Sequence, residues 1–145
     1  MGLTEVVVGE HRMDFAAPPD DVTAVHDFLA DVWTAEPSVG GEDRMALELA
    51  VVELASNVIE HAATDVPVRC SLTLAVHGDG LEARITDDGR PASVDLTSAA
   101  LPDETAESGR GLALVQMVVD ELRYDRDGGR NRWTVRRGRA GALPA

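Results

Sequence analysis

Apolar positions along this chain recur first at strand spacing, then at helix spacing, then at strand spacing again. Residues 6–8 and 12–15 predict a short strand or a strand pair. Pro18-Pro19-Asp20-Asp21 then breaks the pattern and offers acidic groups to a helix N-terminus. Val22, Val25, Leu29, Val32 and Trp33 follow at helical spacing. Residues 36–41 interrupt, and a second helix is predicted over about 42–63. Leu47, Val51, Leu54, Ala55, Val58 and Ala62 give it a core stripe. Leu49, Val52 and Ile59 make it apolar nearly all round, so it is expected to be buried.

Alternation resumes over 68–76, with Cys70, Leu72, Leu74 and Val76 on one face. His77-Gly78-Asp79-Gly80 is a hairpin signal, and Leu81, Ala83 and Ile85 alternate beyond it. Residues 89–108 are irregular and polar, with Pro91 and Pro102. A stretch that long inside one domain is more often a functional lid than a connection. A helix is expected over 111–122, with Leu112, Val115, Val119 and Leu122 in one stripe. A last hairpin over 123–127 and 131–137 turns at Gly128-Gly129. Strands pair as hairpins while helices cluster, which predicts an α+β two-layer sandwich. One mixed, mostly antiparallel sheet would carry helices on one face. There is no internal repeat, and residues 1–145 read as a single domain.

Composition narrows the function classes. Acidic residues number 26 against 13 basic, a formal net charge of −13. That argues against general nucleic-acid binding, where neutralising phosphate supplies most of the affinity. Any phosphorylated ligand must be held by local devices such as backbone amides, a helix N-terminus or a divalent metal. Arg130, Arg132, Arg136, Arg137 and Arg139 crowd the Arg-rich segment 130–145. They read as a solvated strand face, or as a docking edge for an acidic partner. No apolar run is long enough to cross a bilayer, and residues 1–10 show no secretory pattern. The lone Cys70 suits a reducing cytoplasm.

Three polar patterns interrupt the apolar design. Glu53, Asn57 and His61 stack at i, i+4 and i+8 on the second helix. They form a solvated stripe, an internal hydrogen-bond network or the wall of a cavity. In the cavity reading, Asn57 offers an amide oxygen to Mg²⁺, a hard cation that takes oxygen ligands. Glu53 would then be a general base. His61 reads as a supporting residue, since Mg²⁺ prefers oxygen. Asp87 has the parity of Leu81, Ala83 and Ile85, which is the core face, so it needs a hydrogen-bonding partner there. A turn at Asp88-Gly89 explains it more plainly. Ser108-Gly109-Arg110-Gly111 bares amides at a helix start, where the dipole favours anions. Ser108 also fits an N-cap.

Helix with Glu-x-x-x-Asn, hairpin, Asp-x-Gly at a strand end, lid, then Gly-x-Gly at a helix start: this order resembles the N, G1 and G2 boxes of the GHKL ATPase/kinase superfamily. The likeness runs from about residue 12 to 137, and the short form is similar to the anti-sigma factor serine/threonine kinases. It implies a Bergerat-type, histidine-kinase-like ATPase fold that binds Mg²⁺ and ATP. By resemblance, Glu53 activates a partner's hydroxyl and Asn57 ligates Mg²⁺. Asp87 holds adenine; Gly89, Ser108, Gly109, Arg110, Gly111 and Leu112 complete the nucleotide site. The implied partners are a STAS-type antagonist, a sigma factor and a second copy of the chain, in the cytoplasm, with no nucleic acid or membrane. Two positions depart from the family pattern. Pro91 stands where many relatives have a glycine. Glu107 stands where some kinases place an arginine before Gly-x-Gly. The alternative is therefore a binding module of the same fold that switches partners without phosphorylating them. A further alternative is a histidine-kinase catalytic domain acting on a phosphoacceptor in trans.

Overall fold

A computed structural model describes residues 7–61, 66–92 and 107–139. Strand β1 (Val7–Ala17) leads into helix α1 (Val22–Ala35) and helix α2 (Gly41–His61). The hairpin β2 (Val68–His77) and β3 (Gly80–Asp87) follows, then helix α3 (Glu107–Val118), then the hairpin β4 (Glu121–Asp127) and β5 (Arg130–Gly138). The sheet order is β1-β2-β3-β5-β4. Each neighbouring pair is antiparallel, so the sheet has no parallel pair among the described residues. Strands β1, β3 and β4 run one way and β2 and β5 the other, and β5 separates β3 from β4. The chain leaves β3, crosses through α3 to the edge, and turns back to fill the gap.

Why the segments adopt these forms is mostly local chemistry. The short strand or strand pair expected near the start is one 11-residue strand, with a register irregularity between Val7 and Gly9. Gly9 fits there because the Glu36 carboxylate lies where a Cβ would be, held by His11 Nε2 at 2.8 Å. Asp21 caps α1 by accepting from Thr23 N at 2.9 Å. Asp20 turns back instead: Oδ2 accepts from Ala16 N at 3.0 Å, and its own N–H donates to Ala16 O at 2.8 Å.

The helices share one face of the sheet, and α2 lies between α1 and α3. Val25, Leu29 and Val32 of α1 meet Leu47, Val51 and Leu54 of α2 and Leu72, Leu74 and Ile85 of the sheet in one buried cluster. The other parity of β2 and β3 is exposed or half-buried, which makes the two-layer form. Helix α2 is not buried all round, because Met45 is 75% and Leu49 37% exposed. Its outer stripe is apolar without being covered. Ala62 and Ala63, placed in this helix from the sequence, lie outside the described residues.

Helix α3 starts four residues earlier than the sequence pattern suggests and stops sooner. Val119 still donates to Val115 O at 3.1 Å. Asp120 then pins the chain to β5, donating its N–H to Arg136 O at 2.8 Å and accepting from Gly138 N at 2.6 Å. Leu122, expected on the helix, therefore belongs to β4. The β4–β5 turn needs glycine: φ is +59° at Gly128 and +77° at Gly129. Replacing both by alanine should cost about 2 kcal/mol, since each left-handed non-glycine residue costs ~1 kcal/mol. Urea unfolding would check this, and an asparagine at position 128 should recover part of the loss.

The arginine-rich strand is split by its own alternation. Arg130 and Arg132 are exposed, and Arg136 Nε meets Glu82 Oε2 at 3.2 Å on the outer face. Arg137 turns inward, with Nε 3.0 Å from the buried Asp43 and Nη1 2.7 Å from Val118 O. It ties the start of α2 to the end of α3. Arg139 donates to Ser38 O at 2.7 Å and His77 O at 3.1 Å. The solvated-strand reading thus holds for part of the cluster, and two of its members are structural.

Candidate functional site

The polar exceptions read from the sequence fall at two places: Glu53 of α2 meets Gly111 of α3, and Asp87 at the end of β3 meets Gly89 and Asn131. Asp87 closes β3 with the parity expected of it and is 4% exposed. Its Oδ1 accepts from Gly89 N at 2.9 Å and from Asn131 Nδ2 at 3.0 Å. No described residue donates to Oδ2. A Cβ at Gly89 would lie 2.9 Å from Asp87 Oδ1, so a side chain there would crowd the carboxylate. Asp88 faces away, holding Arg69 N at 2.8 Å.

On α2, Glu53 is half-buried and Asn57 is 8% exposed. No described residue hydrogen-bonds the Asn57 amide, and the buried side-chain atom left without a partner among the described residues is His77 Nδ1 instead. Glu53 reaches the first turns of α3. A Cβ at Gly111 would lie 2.5 Å from Glu53 Oε2, so glycine at 111 is what lets the helix backbone meet that carboxylate. Ser108, Gly109, Arg110 and Gly111 form the opening of α3, which puts Ser108 inside the helix, not at its N-cap. Leu112 packs half-buried against the core. The side chains of His61, Glu107, Ser108 and Arg110 lie outside the described residues, as does lid segment 93–106. At the lid's start, Gly89 to Ala92 is irregular, as expected.

Cys70 pairs with Asp87 across β2 and β3. Burial, with the nearby Asp87 and Asp88 charges, pushes its thiol up to about 12. The thiol stays protonated and is no nucleophile here. Among the described residues, no group of three or more His, Cys, Asp or Glu side chains could hold a metal. A cation would need Asn57 together with oxygens of a ligand, as Mg²⁺ does on phosphates. The donor set fits that: a buried amide oxygen, a carboxylate one turn away and glycine-exposed helix amides. No helix among the described residues is long and apolar enough to cross a membrane.

Asn131, 3% exposed on β5, is the site residue that sequence reading passed over. Its Nδ2 donates to Asp87 and to Arg90 O at 2.7 Å, while Oδ1 accepts from Tyr124 Oη at 2.5 Å and Arg126 Nη1 at 3.0 Å. The signal was available. Asn131 shares strand parity with Trp133 and Val135, both buried, so it is a polar residue at a core position, as Asp87 is.

Residues 15–137 match the family model described as the histidine kinase-like ATPase domain. No curated protein matches the chain. Among solved structures, the fold is similar to the RsbU and RsbW domains of Rv1364c from Mycobacterium tuberculosis, with TM-score 0.63 and 21% identity. That likeness covers 95% of this chain but 34% of the other, so this chain spans about a third of it. It is also similar to the Acinetobacter baumannii histidine kinase AdeS, with TM-score 0.51, 13% identity, and coverage of 94% and 70%. At these identities the likeness is one of fold.

Proposed function

Because the chain belongs to the histidine kinase-like ATPase domain family, we propose that it is a serine/threonine-protein kinase of the anti-sigma factor type. In this reading it binds Mg²⁺ and ATP and phosphorylates a serine or threonine of a STAS-type antagonist. It also sequesters a sigma factor, acts as a homodimer in the cytoplasm, and so regulates transcription. The likeness to a chain carrying an RsbW domain supports the partner class. The observation that carries the reading is the placement of Glu53 against Gly111, one helical turn from the buried Asn57 amide. The Glu53 carboxylate thereby lies beside the first turns of α3, which supports a role for both at one nucleotide site.

Each residue then has a task. The Asp87 Oδ2, with no described donor, accepts the exocyclic amine of adenine. Gly89 leaves room for the base. The unbonded amides of the first turn of α3, at Ser108 and Gly109, would face phosphate, with Arg110, Gly111 and Leu112 following in the helix. Asn57 would hold Mg²⁺, which would supply neutralisation of phosphate charge when bound. The partner's hydroxyl oxygen forms a bond to the γ-phosphorus, ADP leaves, and Glu53 takes the hydroxyl proton. Phosphoryl transfer asks chiefly for positioning and charge neutralisation, so a sparse set suffices.

Calorimetry of ATP with and without Mg²⁺ tests the site. Asn57→Ala should abolish the Mg²⁺-dependent part of binding, a loss of at least ~100-fold if the metal is held there. Normal Mg²⁺-dependent binding by that variant would sink the proposed pocket. A second reading, a partner-switching module that does not phosphorylate, is favoured by Glu107. This acid opens α3 where a cation would help offset γ-phosphate charge. Acid-stable phosphoserine or phosphothreonine on a STAS partner decides for the kinase; tight partner binding with no phosphate transferred decides for the module.

A further inference from the structure

The amide of Asn131 is saturated. It has two N–H donors and two acceptor lone pairs, and the four are met by Asp87 and Arg90 on one side and Tyr124 and Arg126 on the other. Turning the amide over would set donors against donors and an oxygen against the Asp87 carboxylate. Its Nδ2 must therefore face Asp87. That bond and the Gly89 amide both fall on Oδ1. The carboxylate is fixed in one rotation, and Oδ2 is the oxygen to which no described residue donates.

The same cluster holds the chain that follows Asp87. Asn131 holds Arg90 O, Arg126 Nη1 donates to Gly89 O at 3.0 Å, and Ala92 N donates to Tyr124 Oη at 3.0 Å. Tyr124 is itself braced by Trp133, with ring centroids 4.6 Å apart. Three backbone groups of the 89–92 loop are thus held by β4 and β5. The carboxylate and the loop beside it are oriented by one buried amide.

We propose that Asn131 is a specificity-determining positioning residue: it aims Asp87 Oδ2, to which no described residue donates, at the base of a bound nucleotide, so that a purine bearing an exocyclic amine is accepted and one bearing a carbonyl there is refused. This rests on the nucleotide-site reading. An aimed acceptor rewards adenine and opposes guanine, whose carbonyl oxygen would face a carboxylate oxygen. Sites built around one such hydrogen bond can discriminate by several orders of magnitude. If the Asp87 side chain were free to rotate, either oxygen could withdraw and the discrimination would fall.

The test uses Asn131→Asp, which keeps the size and shape of the side chain but replaces the donating nitrogen by oxygen. At about pH 8 the introduced carboxylate opposes Asp87, and like charges so close destabilise one another. At about pH 5.5 a proton shared by the pair restores a donor toward Asp87 Oδ1. MgATP and MgGTP affinities of wild type and variant are measured by calorimetry at both pH values. Comparing variant with wild type at each pH removes the titration of the nucleotide itself. The variant should bind MgATP ~30-fold more weakly than wild type near pH 8, and within ~3-fold of it near pH 5.5, a span of about one to two pKa units of coupling. Its preference for MgATP over MgGTP should shrink at high pH and return at low pH. A loss that is the same at both pH values, with the base preference intact, overturns the proposal and leaves the nucleotide site standing. Wild-type protein that binds neither nucleotide overturns the site and the proposal together. Where Asn131→Asp does not fold, Tyr124→Phe replaces it. Removing the hydroxyl that holds Asn131 Oδ1 and Ala92 N should cut the MgATP preference ~3- to 10-fold, and an unchanged preference overturns the proposal.

Discussion

Asp87→Asn is expected to lose ATP binding by about 100-fold or more, through an unmatched donor, while the protein stays folded. An asparagine can keep its oxygen where Asp87 Oδ1 lies, accepting from Gly89 N and Asn131 Nδ2 as before. That choice puts its nitrogen in the place of Oδ2, where a donor would face the adenine amine. Reversing the amide would set nitrogen against two donors. Either way a buried group goes unmatched when the base is bound. The melting temperature should fall by only a few degrees, because about 1 kcal/mol of charge assistance is lost from two hydrogen bonds. Calorimetry with Mg²⁺ reads the first effect and thermal melting the second. Binding within a few-fold of wild type would remove Asp87 from the base site. The same substitution should lower the Cys70 pKa from about 12 but leave it above its ordinary value, since burial is the larger cause of its shift. Thiol alkylation followed across alkaline pH reports that directly.

Gly111→Ala should give a protein as stable as wild type, or slightly more so, that has lost phosphoryl transfer. Alanine is favoured over glycine within a helix by about 0.5–1 kcal/mol. The added Cβ meets Glu53 Oε2 at 2.5 Å and its Cδ at 3.5 Å. That carboxylate ends a flexible side chain, so it swings away at little cost to the fold. Displacing a general base from its proton costs on the order of 10²- to 10⁴-fold in rate. Glu53→Gln should match that loss without the gain in stability. Single-turnover transfer from labelled ATP to a STAS partner, paired with thermal melting, gives both readouts. Undiminished transfer by Gly111→Ala would mean that the observed contact does not position the base.

The parts of this fold written in period two or period 3.6 were legible in the sequence. Cys70, Leu72, Leu74 and Val76 turn inward together, as do Leu81, Ala83 and Ile85, and Asp87 follows their parity. What sequence could not supply is set by distant partners. The order β3-β5-β4 depends on which edge accepts the last hairpin. The start of α3 was missed because residues 107–110 hold no apolar position to mark a helix, and glycine disfavours one. Its end was missed because Val119 and Leu122 keep helical spacing while Asp120 is captured by β5. Of the site, Glu53, Asn57, Asp87 and Gly111 were readable as polar or glycine interruptions of apolar elements. Asn131 was hidden inside a familiar-looking strand, and Arg137 inside a run of like charges.

The last strand to be made is not the last in space. β5 lies between β3 and β4, and Asn131 reaches back 44 residues to Asp87. Until that strand is inserted, β3 has a bare edge and Asp87 lacks one of its two donors. During synthesis, helices α1 and α2 and the β2–β3 hairpin can collapse early on local contacts, whereas this long-range pairing must come late. A nascent chain stalled before residue 131 would carry Glu53, Asn57, Asp87 and Gly111, with Asp87 held by the Gly89 amide alone. Nucleotide capture would then follow completion of this sheet, and ligand would stabilise only chains that had completed it.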